Sequence, residues 1–162
     1  MTTGGWRAEA FLVHDGAPKR DQLSVYSVSS HLLQQGIRTC VDINDPGSFR
    51  SSRASAVELT KTMMCDVDIV VVFVTNQFLK KAAMRNDRCG IELEVAFATA
   101  RQVIPVVMEE GVLDPSGKLG PLGASLVAHE PIDVSRHATT NVKDDVDFAC
   151  WCVYYEARRR IN

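Results

Sequence analysis

Residue types and spacing come closest to chemistry in the stretch Asn86-Asp87-Arg88-Cys89-Gly90-Ile91-Glu92-Leu93-Glu94. It opens a predicted helix over 89–100. Glu92 falls in that helix's first turn, where the macrodipole favours a carboxylate and helps keep it ionised. Glu94 lies about 200° round the helix from Glu92, so the two cannot share one site as a paired acid and base. On spacing alone, a solvated glutamate at a helix start is the simpler account of Glu92. The turn after the first predicted strand reads His14-Asp15-Gly16-Ala17-Pro18. Its single glycine makes neither a GxGxxG nor a Walker phosphate cradle. A flavin loop rich in Ser and Thr is absent too. A phospho-accepting receiver needs an aspartate at the end of its third strand, and here that strand ends Phe73-Val74-Thr75. A lone histidine such as His14 is more often a strand-end structural residue than a ligand. Asp42 suits a turn or a helix cap. Phe49 equally suits a loop aromatic packed on the domain.

The elements that must position these residues fit in one domain of 162 residues, with a short lead-in over 1–7 and the domain over 8–162. Apolar residues make up 46% and charged residues 23%, enough for a buried core. A formal net charge of −2 gives no electrostatic reason to expect a nucleic-acid partner. The one basic run, Arg158-Arg159-Arg160, reads as a solvated helix end whose cations suit the dipole. Five cysteines, an odd count, argue against a full disulfide framework. None has zinc-knuckle spacing, so no metal is expected, and most read as small buried residues in a reducing compartment. No signal-like or membrane-spanning run is found, so a soluble, cytoplasmic protein without a membrane partner is expected.

Two continuous apolar runs, over 67–74 and 103–108, suit strands of a parallel sheet covered on both faces. Pro105 cannot donate to a ladder, which places its strand near an edge or ends it early. Weaker strands are predicted over 8–13, 37–42 and 125–128. Helices are predicted over 21–35, 52–64, 89–100 and 142–160, and a surface loop over 109–123. In the first helix Leu23, Tyr26, Ser30 and Leu33 fall near one face, and Gly36 is a plausible stop. In the third, Ile91, Val95 and Ala98 take the core side. This alternation predicts an α/β fold: a doubly wound, flavodoxin-like five-stranded parallel sheet with helices on both faces. Ligands of such sheets gather beyond the strands' carboxyl ends.

Several segments together resemble a TIR (Toll/interleukin-1 receptor) domain, over 8–155. Ala10-Phe11-Leu12-Val13-His14-Asp15 is similar to the first TIR box, with Val13 in place of the usual Ser. Val41-Asp42, followed by Asp45-Pro46-Gly47-Ser48-Phe49, resembles the second strand and its long BB loop. Cys89-x-x-Glu92-Leu93 resembles the motif in which a cysteine precedes a catalytic glutamate by three. Ile104-Pro105-Val106-Val107-Met108-Glu109 looks like a TIR fourth strand, and Phe148 and Trp151 look like the aromatic third box.

Many TIR domains cleave NAD between nicotinamide and ribose. The resemblance implies that Glu92 is the catalytic residue and that NAD is a substrate, with no cofactor. It puts His14 and Asp15 beside the ribose and pyrophosphate, and Phe49 against the nicotinamide. Asp42 matches a common acidic position at the second strand's end. Arg88 stands where many members carry an aromatic, and its flat guanidinium face can still stack. One carboxylate suffices for this chemistry: nicotinamide leaves as a neutral molecule, and the charge growing on the ribose is what needs stabilising. The resemblance also implies self-association through TIR–TIR contacts, which order the BB loop over 43–52. Two other functions fit the same residues: a non-catalytic TIR adaptor in innate-immune signal transduction, and a nucleoside deoxyribosyltransferase-like enzyme, similar in its Glu92-Leu93-Glu94-Val95-Ala96-Phe97-Ala98 helix.

Overall fold

The computed structural model of the chain describes residues 8–15, 25–41, 53–84, 86–99, 102–113, 120–135 and 142–161. The elements are β1 (Ala8–Val13), α1 (Val25–Gln34), β2 (Ile37–Val41), α2 (Arg53–Met64), β3 (Ile69–Val74), α3 (Asn76–Ala82), α4 (Arg88–Thr99), β4 (Val103–Val107), α5 (Gly120–Val127), β5 (Ile132–Asp133) and α6 (Val142–Ile161). The five strands form one sheet in the order β2-β1-β3-β4-β5, and every pairing is parallel. That is the flavodoxin-like order, with its crevice beyond the carboxyl ends of β1 and β3.

The period of two in a strand divides the core into two layers. Phe11, Val13, Val70, Val72 and Val74 face α2, α3, α4 and α5. Ala10, Leu12, Ile69, Val71 and Phe73 face α1 and α6. β3 is buried along its whole length, as its unbroken apolar run requires. Gly36 takes φ 91°, and its N–H bonds the Leu33 carbonyl at 3.1 Å, ending α1 where glycine's freedom is needed.

Pro105 sits inside β4, in register with Val72. Met108 N–H donates to Val74 and the Gln102 carbonyl accepts from Val70, so even-numbered residues of β4 bond toward β3. Odd-numbered Pro105 therefore turns its missing donor toward β5, whose pairing begins only at Val106. The proline lies one strand in from the edge, at a position where nothing asks for its N–H.

Several expectations need correction. The segment over 125–128 is not a strand: α5 spans it, Ser125 Oγ donates to the Pro121 carbonyl at 3.0 Å, and β5 lies further on at Ile132–Asp133. Leu126-Val127-Ala128 is apolar enough for a strand, but the helical period buries Leu126 and leaves Val127 40% exposed. The predicted loop over 109–123 buries Val112 and Leu113 in the core, and its last residues open α5. α1 buries Val28 and Leu32, whereas Ser30 and Leu33 are exposed; Leu23 and the Tyr26 side chain lie outside the described residues. Ala98 is exposed too, and Leu93 and Ala96 join Ile91 and Val95 in the core. Cys89 and Cys150 are buried and Cys152 is half-buried, but Cys40 and Cys65 are exposed, so burial does not cover most cysteines. Arg160 is no solvated helix end. Its guanidinium donates to the Val103, His129 and Glu130 carbonyls at 2.7–2.9 Å, tying α6 to the amino end of β4.

Leu126→Ala should cost about 2–5 kcal/mol of stability through the cavity it leaves. Val127→Ala should fall within about 0.5 kcal/mol, as exposed positions do. Denaturant titration of both variants separates a helical α5 from a buried strand, in which both changes would be costly.

Candidate functional site

β1 ends at Val13, and the next two residues leave the sheet. Their carbonyls have no further strand to bond and must find donors elsewhere. The His14 carbonyl accepts from Arg88 Nη2 at 3.0 Å and from Cys89 Sγ at 3.5 Å. The Asp15 carbonyl accepts from Lys81 Nζ at 2.8 Å. The helices that follow β3 thus reach back to hold the exit of β1.

α4 starts one residue earlier than the sequence suggests, which is enough to move Glu92 out of the first turn. Asp87 caps it: Cys89 N–H donates to Asp87 Oδ1 at 2.9 Å and Ile91 N–H to the Asp87 carbonyl at 3.1 Å. The carboxylate at the positive end of the dipole is therefore that of Asp87. Glu92 lies in the second turn, one turn beyond Arg88, on the same helical face.

Glu92 is not the solvated helix-start residue that its spacing suggests, being only 1% exposed. Arg88 Nε stands 4.0 Å from Glu92 Oε1, with the arginine side chain 17% exposed. A carboxylate out of water needs such a counter-charge, because desolvating an isolated ion costs several kcal/mol. Glu94 faces solvent on the other side of α4, so the separation of the two glutamates holds.

Asp15 is buried, and its Oδ2 accepts from Thr75 Oγ1 at 2.8 Å. Thr75 in turn caps α3, its Oγ1 accepting from Phe78 N–H at 2.9 Å. Glu109 Oε2 accepts from the Asn76 amide nitrogen at 3.2 Å and from its Nδ2 at 2.7 Å. The ends of β1, β3 and β4 are thereby laced through the start of α3. Thr75 and Lys81 escape a reading by motif. The sign of Thr75 in the sequence is a threonine directly after an apolar run, an N-cap pattern. Asp42 and Phe49, and the rest of the segment over 43–52, lie outside the described residues.

Cys89 sits between Arg88 and Glu92 in the motif but is no nucleophile at neutral pH. Burial, with Asp87 and Glu92 adding negative charge, pushes its thiol up to about 12 despite the opposing pull of Arg88. Gly90 has a packing role. A Cβ there would lie 2.7 Å from the Ala82 carbonyl oxygen and 2.9 Å from that of Met84. Only glycine lets the first turn of α4 meet the end of α3 so closely.

A separate cavity of about 310 Å³ opens at the amino end of β4, lined by Gln102, Ala128, His129, Glu130, Arg159 and Arg160. It lies at the opposite edge of the sheet from Glu92. Among the described residues no group of three or more His, Cys, Asp or Glu is placed to hold a metal ion, and no helix is long and apolar enough to cross a membrane.

No protein-family model and no curated protein matches the chain. Among solved structures it is similar to the esterase domain of a Rhodothermus marinus protein, at 14% identity and a TM-score of 0.48, over 99% of this chain and 89% of that one.

Gly90→Ala should cost about 1–3 kcal/mol, the usual range for overpacking, seen as a lower thermal midpoint. The pH dependence of stability has a definite sign. An unfolded thiol ionises near 9.0, while Cys89 in the fold keeps its proton up to about 12. Between those values the unfolded state binds fewer protons, so stability falls as pH rises. Cys89→Ala should flatten that fall between pH 9 and 11 in denaturant titrations; an unchanged slope would assign it to other groups.

Proposed function

We propose that the chain is an NAD+ nucleosidase that cleaves the nicotinamide–ribose bond, giving nicotinamide and ADP-ribose or a cyclic isomer of it. The observation that carries this reading is Glu92, a buried carboxylate set beside Arg88 on the helix that grips the exit of β1. It stands on the side of the sheet where parallel α/β folds collect ligands.

The reaction makes few demands. The bond from ribose C1′ to the pyridine nitrogen breaks, and its electron pair leaves with nicotinamide, which becomes neutral. Positive charge grows on C1′ and the ring oxygen, and Glu92 opposes it electrostatically or through the ribose hydroxyls. Water then adds at C1′ and releases a proton. For cyclisation, a nitrogen of the adenine adds instead.

At 1% exposure Glu92 does not meet free substrate, so the sugar reaches it only when the surface above it opens. Assembly with further copies supplies that opening, which is the partner this reading requires. A cytoplasmic setting goes with it, since none of the five cysteines is in a disulfide, which suits a reducing compartment.

A second reading, the TIR adaptor without catalysis, is favoured by one feature of α6. Phe148, Trp151 and Tyr155 are 46%, 38% and 62% exposed and recur with helical spacing on one stripe. Aromatics of this kind are the common anchors of protein–protein contacts.

Incubation with NAD at rising protein concentration, following free nicotinamide, tests the enzyme. Turnover per molecule should rise with concentration as copies assemble, and Glu92→Gln should lower it by about 10²–10³-fold, with circular dichroism unchanged. Full turnover by Glu92→Gln would sink the role of Glu92. Assembly without any turnover would assign the chain to the adaptor reading, and base exchange on nucleosides without NAD loss would assign it to the deoxyribosyltransferase reading.

A further inference from the structure

The cations of this molecule are not all matched in the same way. The half-buried Arg88 and Arg160 each stand within ion-pair range of a carboxylate, Glu92 and Glu156. Lys81 is half-buried as well, and its surroundings differ. Its Nζ donates to the Asp15 carbonyl at 2.8 Å, while the carboxylate of Asp15 turns instead to Thr75 Oγ1 at 2.8 Å. Among the described residues, Lys81 has no carboxylate within ion-pair range. An ammonium carries three donors, and one carbonyl takes one of them.

Position makes this mismatch informative. Lys81 lies at the end of α3, with its ammonium beyond the carboxyl end of β1. The carbonyl it holds is adjacent in the chain to the one held by Arg88, and consecutive Cα atoms are about 3.8 Å apart. The ammonium and the Arg88 guanidinium therefore fasten neighbouring peptide groups at the sheet edge where ligands of parallel α/β folds gather. A partly desolvated cation without a counter-ion is costly, and a ligand anion relieves that cost.

Resting on the NAD reading, we propose that Lys81 binds the diphosphate of the dinucleotide. The Asp15 carbonyl holds the ammonium in place before substrate arrives, and the two remaining donors go to phosphate oxygens. Lys81 would then select dinucleotides over plain nicotinamide ribosides, while Glu92 carries out the cleavage itself. Lysine is the residue for a point charge on phosphate, so the contact depends on charge more than on the shape of the side chain.

The test compares two substrates in the full-length protein. Nicotinamide riboside has the scissile bond of NAD and no phosphate. Lys81→Met should raise KM for NAD about tenfold, the effect of one charge-assisted contact, and leave KM for the riboside unchanged. Lys81→Arg should restore most of the NAD affinity. Thermal unfolding of each variant confirms that the fold is kept. Equal losses on both substrates, or no loss on either, would overturn the proposal, since Lys81 would then be only a fastening for β1. If the parent protein cleaves neither substrate, the NAD reading fails separately, and calorimetric titration with inorganic pyrophosphate decides the anion site. Binding that disappears in Lys81→Met keeps Lys81 as an anion ligand; no binding to the parent removes it.

Discussion

Two successive carbonyls just past the end of β1 organise the carboxyl edge of this sheet. A parallel sheet leaves such groups without a ladder partner, and a buried one left unpaired costs about 1–3 kcal/mol. The carbonyls of His14 and Asp15 are satisfied from the two helices after β3, by Arg88, Cys89 and Lys81. The consequence is directional. Donors long enough to reach β1 must start near the end of α3 and the start of α4, so those two helix ends are drawn together over the crevice. Gly90 allows the approach, since any side chain there would meet the last carbonyls of α3. Once α4 starts at that point, its periodicity places Glu92 one turn on, beside Arg88.

Glu92 is costly where it stands. A leucine would fill similar volume with no ion to desolvate, and exchanging a buried ion pair for apolar residues is often neutral or stabilising. Removing Arg88 alone is different, since it strands a buried charge at a cost of about 3–5 kcal/mol. Packing therefore does not explain the pair. A carboxylate held dry and ionised is what opposing charge on a sugar requires, because such interactions strengthen as water is excluded.

How far the sequence revealed this varies with the physics behind each element. β3 and β4 were legible because strands covered on both faces are continuously apolar, a signal that needs no context, whereas β1 and β2, each interrupted by polar residues, gave weaker signals. β5 was not, since two residues carry no period, and the apolar run of α5 stood in for it. α3, at seven residues, is shorter than the window in which helical periodicity shows. The error over Glu92 was one of depth. Starting the helix at Cys89 rather than Arg88 kept Glu92 in the first turn, where a glutamate usually meets water. The Arg88–Glu92 spacing of four was readable as a helical pair, but its burial depends on α2, α3 and β1 closing round α4, which no local pattern records. Lys81 was invisible for a related reason: its partner is a carbonyl sixty-six positions away in the chain.

The two edges of the sheet also show why cavity size is a poor guide to ligand chemistry here. At the amino edge, Arg160 gives three carbonyls their donors and pairs with Glu156, and Arg159 pairs with Glu156 and Glu130. Two cations meet two carboxylates, so the cavity of about 310 Å³ beside them offers an anion no net attraction. The arrangement is a clasp, closed on itself, and Glu130 holds a left-handed φ of 57° within it. At the carboxyl edge the same device, a long cation on a strand-end carbonyl, is incomplete: Lys81 bonds its carbonyl but meets no carboxylate among the described residues. Identical chemistry therefore fastens both edges, through Arg160 at one and through Lys81 and Arg88 at the other. On the proposed reading, a ligand bearing both phosphates and a glycosidic cation would meet Lys81 and Glu92 together.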